Sequence, residues 1–217
     1  MLHLFHTTSE NCSRIVTENY STSFSSAIRM LHRDLRTPIF NIYGFVRLAD
    51  EIVDTFHDYD KDILLAQFKN ETYAAIERGI SLNPVLNSFQ RTVNEFNIDL
   101  KLVEAFFRSM EMDLDKKCYD CEGYKEYIYG SAEVVGLMCL YVFCEGKKEM
   151  YDQLEAPARA LGAAFQKVNF LRDIKADFNG MSRVYFPGCD FSNFTEKDKR
   201  EIEADIHQDF HQAYEGI

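Results

Sequence analysis

Apolar residues recur at spacings of three and four along nearly the whole chain, and this helical period constrains the fold more than any other feature. In the segment after Pro38 these residues are Ile39, Ile42, Tyr43, Phe45, Val46, Ala49, Ile52, Val53 and Phe56. No stretch sustains the period-two alternation of a strand, and only 4 Pro and 10 Gly interrupt the 217 residues. We therefore predict an all-α fold and, because no linker divides the chain, a single domain over residues 1–217.

Residue types that favour helix ends predict several boundaries. Thr37-Pro38 and Asn83-Pro84 each read as an N-cap followed by proline at the first helical position. Asp60 is predicted to cap a helix that runs towards Gly79. The segment 124–144 is apolar on most sides, so we expect a central, buried helix there.

The charge balance limits the classes of partner. A formal net charge of -11 argues against nucleic acid, because binding to phosphate backbones needs clustered Lys and Arg. A diphosphate would need divalent cations between itself and such an acidic protein. Residues 1–9 lack a signal-peptide pattern, and the apolar run 134–144 is shorter than the roughly 20 residues that span a bilayer. We expect a cytoplasmic protein with peripheral membrane contact if its substrate is a lipid.

Two aspartates mark the first chemistry-bearing segment. Asp50 and Asp54 are four residues apart, so both carboxylates lie on one face of a helix. Like charges at this spacing repel each other unless a cation bridges them. Mg²⁺ prefers oxygen ligands and commonly takes one or two carboxylates plus substrate phosphates. A solvated acidic face at a helix end is the simpler alternative for this pair taken alone.

A second row of oxygen donors lies far along the chain. Asn169, Asp173 and Asp177 recur every four residues, and Gln166 joins the same face. An Asn in mid-helix lowers helix propensity, which favours a functional reading here. The two rows together predict a Mg²⁺ cluster that holds a diphosphate. Loss of the diphosphate from a prenyl substrate would leave an allylic carbocation. An aromatic pocket would shield this cation from water and stabilise it.

Several further segments complete a recognisable order. They are Tyr20-Ser21-Thr22-Ser23-Phe24, Tyr43-Gly44-Phe45-Val46-Arg47, Asp50-Glu51-Ile52-Val53-Asp54, Tyr127-Ile128-Tyr129-Gly130-Ser131-Ala132, Asn169-Phe170-Leu171-Arg172-Asp173 and Arg183-Val184-Tyr185-Phe186-Pro187. In this order and spacing the chain resembles the squalene/phytoene synthase family of head-to-head prenyl transferases, from about residue 19 to residue 187. The resemblance implies an isoprenoid synthase fold, a helical domain around a central apolar cavity.

The resemblance also implies roles for individual residues. The Mg²⁺ ligands would be Asp50, Asp54, Asn169, Asp173 and Asp177. The diphosphate contacts would be Ser21, Ser23, Arg47 and Arg172, with Phe24 also in the substrate site. The catalytic set would be Tyr43, Arg47, Tyr129, Gln166, Arg172 and Tyr185. Mn²⁺ can stand in for Mg²⁺, and we do not expect NADPH as a cofactor.

The implied reaction condenses two geranylgeranyl diphosphates through a cyclopropylcarbinyl diphosphate to phytoene. Alternatives are a dehydrosqualene or squalene synthase that uses farnesyl diphosphate, a head-to-tail elongase or terpene cyclase, and a non-catalytic binding or assembly factor. The chain ends at Ile217 within a helical pattern, whereas family members usually continue. We therefore expect the family's C-terminal helices to be missing and turnover to be impaired. The sequence leaves the oligomeric state open.

Overall fold

The computed structural model describes residues 1–115, 120–180, 186–187 and 194–216, with the side chains at 115 and 174–180 left out. All regular elements in these ranges are helical. They are α1 (Leu2–Tyr20), α2 (Thr22–Met30), α3 (Arg33–Asp54), α4 (Lys61–Arg78), α5 (Pro84–Phe96), α6 (Leu100–Asp115), α7 (Cys121–Ile128), a π-helical turn (Tyr129–Glu133), α8 (Val134–Cys144), α9 (Lys148–Gly180) and α10 (Glu196–Tyr214). The predicted all-α class is confirmed.

The chain divides into two compact units. The first consists of Met1–Leu100 with Tyr141–Lys148, and the second of Lys101–Leu140 with Glu149–Ile217. The single domain over residues 1–217 stays a prediction from the sequence.

Most of the predicted helix ends are confirmed by cap geometry. Asp60 accepts a hydrogen bond from the Ile63 amide at 3.0 Å, and Gly79 ends the same helix in the left-handed conformation. Asn83 caps α5 in the same way, with Pro84 at the first helical position. A reciprocal capping box between Thr195 and Asp198 opens α10.

The predicted helix start at Thr37-Pro38 is wrong. Helix α3 begins at Arg33, one turn earlier, and contains Pro38 in its interior. Proline removes one intrahelical hydrogen bond and usually breaks a helix. Here the turn before it, from Arg33 to Thr37, is exposed or half-buried, so water can satisfy the carbonyl that loses its partner.

Small polar residues let three helices of the first unit approach closely. Ser13 of α1 lies against Gly44 of α3, where an added Cβ would come within 2.8 Å of the Ser13 Cβ. The Ser13 and Ser88 hydroxyls are 2.6 Å apart, which joins α1 to α5. At the next residue of α3, Phe45 stacks on Phe89 of α5 at 3.8 Å between ring centroids. This packing fixes the direction in which α3 presents its C-terminal turns.

The core of the second unit is aromatic. Tyr124, Tyr127, Phe170 and Phe186 contact one another with ring centroids about 6 Å apart. The Tyr127 hydroxyl donates to the buried Asp113 carboxylate at 2.7 Å. This core holds α7 and the π-helical turn against α9.

The continuous helical stretch Cys121–Cys144 has 24 residues and is long and apolar enough to cross a membrane by length and composition. The apolar run 134–144 is the C-terminal part of this helix, which continues upstream of Val134. Half of its most apolar window is buried inside the protein, as in the core helix of a soluble protein. The feature is weak evidence for a membrane span.

Gly130 in the π-helical turn lies close to the backbone of α6. A Cβ at this position would lie 2.5 Å from the Ala105 carbonyl oxygen and 2.7 Å from the Ser109 Cβ. We expect Gly130→Ala to lower the free energy of unfolding by about 1–3 kcal/mol through overpacking. Gly136→Ala is the matched control, because its nearest contact would be 3.4 Å away. Urea unfolding followed by circular dichroism measures both, and equal stabilities would contradict the prediction.

Candidate functional site

The first acidic row occupies the last turns of α3. Asp50 has a side chain 30% exposed, and Asp54 is half-buried at the last residue of the helix. No Lys or Arg lies in this last turn, so negative charge accumulates at the negative end of the helix dipole. Carboxylates in this arrangement lower helix stability unless a cation neutralises them. Lys61 donates from Nζ to the Val53 carbonyl of this turn at 2.7 Å, which offsets part of the charge at the helix end.

Arg47 lies one turn before this row and is held from three sides. Its Nη2 donates to the Glu51 carboxylate at 2.6 Å, and its Nη1 lies 3.9 Å from Asp50. The guanidinium carbon sits 4.6 Å from the centre of the Tyr20 ring. Burial alone would lower the pKa of Arg47, but the hydrogen bond to Glu51 and the nearby carboxylates raise it. Arg47 is thus a fixed cation beside the two aspartates.

The turn between α1 and α2 joins the same cluster. The Ser21 hydroxyl caps α2 by accepting a hydrogen bond from the Phe24 amide at 3.2 Å. The Phe24 ring stacks on Tyr43 of α3 at 4.6 Å between centroids. Ser23 is exposed in the first turn of α2. Six of the predicted residues, namely Ser21, Phe24, Tyr43, Arg47, Asp50 and Asp54, are thereby linked by contacts or by position on α3 within the first unit.

The second row lies on α9. Gln166 donates from Nε2 to the Ser131 hydroxyl in the π-helical turn at 3.2 Å. Asn169 is exposed, and its side-chain Nδ2 makes a long contact of 3.5 Å with the side-chain Oε1 of Gln166. The Gln166 contact fixes the position of this face of α9 within the second unit.

Asp173 forms a two-point ion pair with its sequence neighbour Arg172. The Arg172 Nε and Nη2 lie 2.8 and 2.5 Å from the two carboxylate oxygens. The hydrogen bond with Arg172 holds the pKa of the Asp173 carboxyl below its usual range. The group is therefore ionised at neutral pH, as a metal ligand must be.

Tyr129 begins the π-helical turn and contacts a cation. The Arg159 guanidinium lies 5.1 Å from its ring centroid and is fixed by Glu133 at 2.7 Å. Two predicted residues cannot be placed in this way. Tyr185 and the Asp177 side chain lie outside the described residues.

Sequence reasoning missed three participants. Tyr20 was noted only as the first residue of a motif, yet its ring covers Arg47. Glu51 lies inside the acidic motif and is the closest partner of Arg47. Ser131 belongs to a quoted motif, but its contact with Gln166 gives no signal because the two residues are 35 positions apart along the chain.

The donor set of the first row fits Mg²⁺. Among the described side chains no three His, Cys, Asp or Glu residues lie close enough to hold a metal ion by themselves. Mg²⁺ typically needs only one or two carboxylates when substrate phosphates supply further oxygens. Asp50 and Asp54, one turn apart and partly accessible, meet that requirement. That both rows bind the same ions stays a prediction from the sequence.

Comparison with known proteins points to one family. The family model described as squalene/phytoene synthase matches residues 17–215. A presqualene diphosphate synthase of Rhodopseudomonas palustris is 32% identical over 168 residues, which cover 76% of this chain and 58% of that protein. A phytoene synthase of Arthrospira platensis is 28% identical over 197 residues, which cover 85% of this chain and 63% of that protein. The chain thus spans about three-fifths of the length of these relatives.

A solved structure shares the fold. The crystal structure of a dehydrosqualene synthase in complex with ligand superposes with a TM-score of 0.83 at 21% identity, over 97% of this chain and 77% of that one. The isoprenoid synthase fold expected from the sequence is thereby confirmed.

Proposed function

The chain belongs to the squalene/phytoene synthase family, and from this we propose that it joins two prenyl diphosphates head to head in a Mg²⁺-dependent reaction. The observation that carries the proposal is the cluster in the first unit. Two carboxylates, a fixed guanidinium and two stacked aromatic rings lie within a few turns of α2 and α3. This combination suits a ligand with a charged diphosphate head and an apolar tail.

In the proposed mechanism, Mg²⁺ would be held by Asp50 and Asp54 on α3 and by Asn169 and Asp173 on α9. The bound ions supply Lewis-acid stabilisation of the diphosphate leaving group. Arg47 contributes a fixed positive charge for the same phosphate oxygens, because Glu51 and Tyr20 restrict its rotamer.

The aromatic residues have a different role in the proposal. Tyr43 and Phe24, stacked on each other, and Tyr129 offer ring faces to the allylic carbocation. Exclusion of water at these rings prevents hydrolysis of the cation to an alcohol. The first carbon of one substrate bonds to the second substrate. Diphosphate and a proton leave, giving a cyclopropylcarbinyl diphosphate. Loss of the second diphosphate, rearrangement and loss of a proton would then give the hydrocarbon.

For the substrate we propose geranylgeranyl diphosphate and for the product phytoene. Support comes from the sequence motifs, which resemble bacterial phytoene synthases, and from the relative in Arthrospira platensis that carries this name. The presqualene diphosphate synthase of Rhodopseudomonas palustris favours a second candidate, in which farnesyl diphosphate is the substrate. A lipid substrate of either length fits a cytoplasmic protein with peripheral membrane contact.

Product analysis tests this proposal. The chain is incubated with Mg²⁺ and either farnesyl or geranylgeranyl diphosphate, with and without NADPH, and the extract is analysed by mass spectrometry. We expect phytoene from geranylgeranyl diphosphate without NADPH. A product of unchanged carbon number would indicate a cyclase. No turnover of either substrate, together with binding of a diphosphate analogue, would favour the non-catalytic alternative.

A further inference from the structure

The face of α9 next to the second oxygen row carries a buried lysine. Lys167 follows Gln166 in the sequence, and one residue turns an α-helix by about 100°. Its side chain therefore points away from the face that carries Gln166, Asn169 and Asp173. It is 10% exposed, which is rare for a lysine unless partners satisfy its charge.

The partners of Lys167 are two aspartates of α10. Its Nζ lies 2.5 Å from Asp205 and 2.7 Å from Asp209. The contact with Asp209 is an ion pair rather than a well-aligned hydrogen bond. Asp205 and Asp209 are four residues apart on one face of α10, where their charges would repel each other without a cation. We call Lys167, Asp205 and Asp209 the ion triad.

Lys167 stays protonated at neutral pH. Burial alone would lower the pKa of Lys167, but its contacts with Asp205 and Asp209 raise it. A buried ammonium between two carboxylates is held in place, since removal of one partner would leave a poorly solvated charge.

Among the described residues, apolar contacts also anchor α10. Its buried residues are Ile202 and Ala213, and Ile206 packs only partly against the aromatic core of the second unit. The ion triad is therefore a specific polar link between α10 and α9. On the neighbouring face, Gln166 is bonded to Ser131. Contacts on two neighbouring faces thus hold α9 immediately before Asn169 and Asp173.

We propose that Lys167 is a positioning residue, which through Asp205 and Asp209 fixes the rotation of α9 so that Asn169 and Asp173 stay aligned as metal ligands. This inference rests on the proposed function of those two residues, and it adds a requirement for α10 that the motifs do not contain. Lys167 itself contacts neither metal nor substrate in this role.

The test uses Lys167→Met, which removes the charge but keeps an unbranched side chain. Mn²⁺ replaces Mg²⁺ as the probe, and its binding to the full chain with inorganic diphosphate is followed by electron paramagnetic resonance. We expect the Mn²⁺ dissociation constant to rise about tenfold, as is typical when residues that orient ligands are changed. Deuterium uptake by amides 166–173 should also become faster. Lys197→Met on the exposed face of α10, where the side chain is 83% exposed, is the matched control and should change neither readout.

An exchange of charges separates positioning from simple stabilisation. The double variant Lys167→Asp/Asp209→Lys keeps one lysine and two aspartates and should recover most of the Mn²⁺ affinity, whereas Asp209→Lys alone should not. Unchanged Mn²⁺ affinity and exchange in Lys167→Met would overturn the proposal, even with a lower melting temperature. Failure of the charge exchange to recover affinity, or no Mn²⁺ binding by the unmodified chain, would overturn it too. If the chain binds Mn²⁺ as expected but forms no product, the positioning role stands and the proposed function fails.

Discussion

Asp54→Asn is expected to lower kcat/KM for the prenyl diphosphate at least about 10³-fold, which corresponds to about 4 kcal/mol of transition-state stabilisation. The substitution keeps the shape of the side chain but removes the charge that, in the proposed mechanism, would hold Mg²⁺ against the leaving group. A bound metal ion contributes several kcal/mol in this role. Asp50→Asn should have an effect of similar size. Product formation at saturating Mg²⁺ and Mn²⁺ binding by electron paramagnetic resonance measure the two consequences separately.

Asp54→Asn and Asp50→Asn should change the stability of the protein only slightly. Measuring stability therefore distinguishes loss of metal binding from loss of the fold. Asp50 and Asp54 lie at the C-terminal end of α3, where their charges oppose the helix dipole. Loss of one charge should therefore leave the free energy of unfolding of the metal-free protein within about 0.5 kcal/mol of the unmodified value.

Asp34→Asn is the matched control for this pair of variants. Asp34 lies on the same helix but in its first turn and is 78% exposed, so activity should not change. An active Asp54→Asn variant, or one that loses activity only because it unfolds, would contradict the metal-binding role.

Local signals in the sequence were reliable where one residue decides the geometry. Asp60, Asn83 and Gly79 act on backbone groups within three or four residues, so their effects do not depend on the rest of the fold. Pro38 shows the limit of such reasoning. It was expected at the first position of a helix, but α3 begins one turn earlier and continues through it. The residues that follow are buried and the preceding turn can be hydrated.

The site was predictable along each helix but not across helices. The four-residue spacing of Asp50 and Asp54 fixes their common face whatever surrounds them. The contact of Tyr20 with Arg47 and that of Lys167 with Asp209 each join residues more than 25 positions apart, and no period in the sequence reports such contacts. The motifs do not predict the length of the substrate, because the depth of an apolar pocket depends on the packing of many side chains.

Arg47→Lys is expected to lower kcat/KM about 10²-fold although it keeps the positive charge. A guanidinium presents several donors in a plane, which lets Arg47 bond Glu51, approach Asp50 and lie over the Tyr20 ring at the same time. An ammonium is a point charge on a flexible stem and can keep only one of these contacts. We expect the loss to appear in both kcat and KM, because the fixed donor acts on the diphosphate before and during its departure.

Arg33→Lys, the same substitution on the same helix, is the matched control, since the Arg33 side chain is 85% exposed. It should leave both kinetic constants unchanged. Glu51→Gln gives an independent check, because it leaves the guanidinium in place but replaces the carboxylate that orients it. If orientation is what matters, Glu51→Gln should lower kcat/KM in the same direction as Arg47→Lys but by a smaller factor. Full activity in Arg47→Lys would mean that charge alone suffices and that the contacts with Glu51 and Tyr20 are structural.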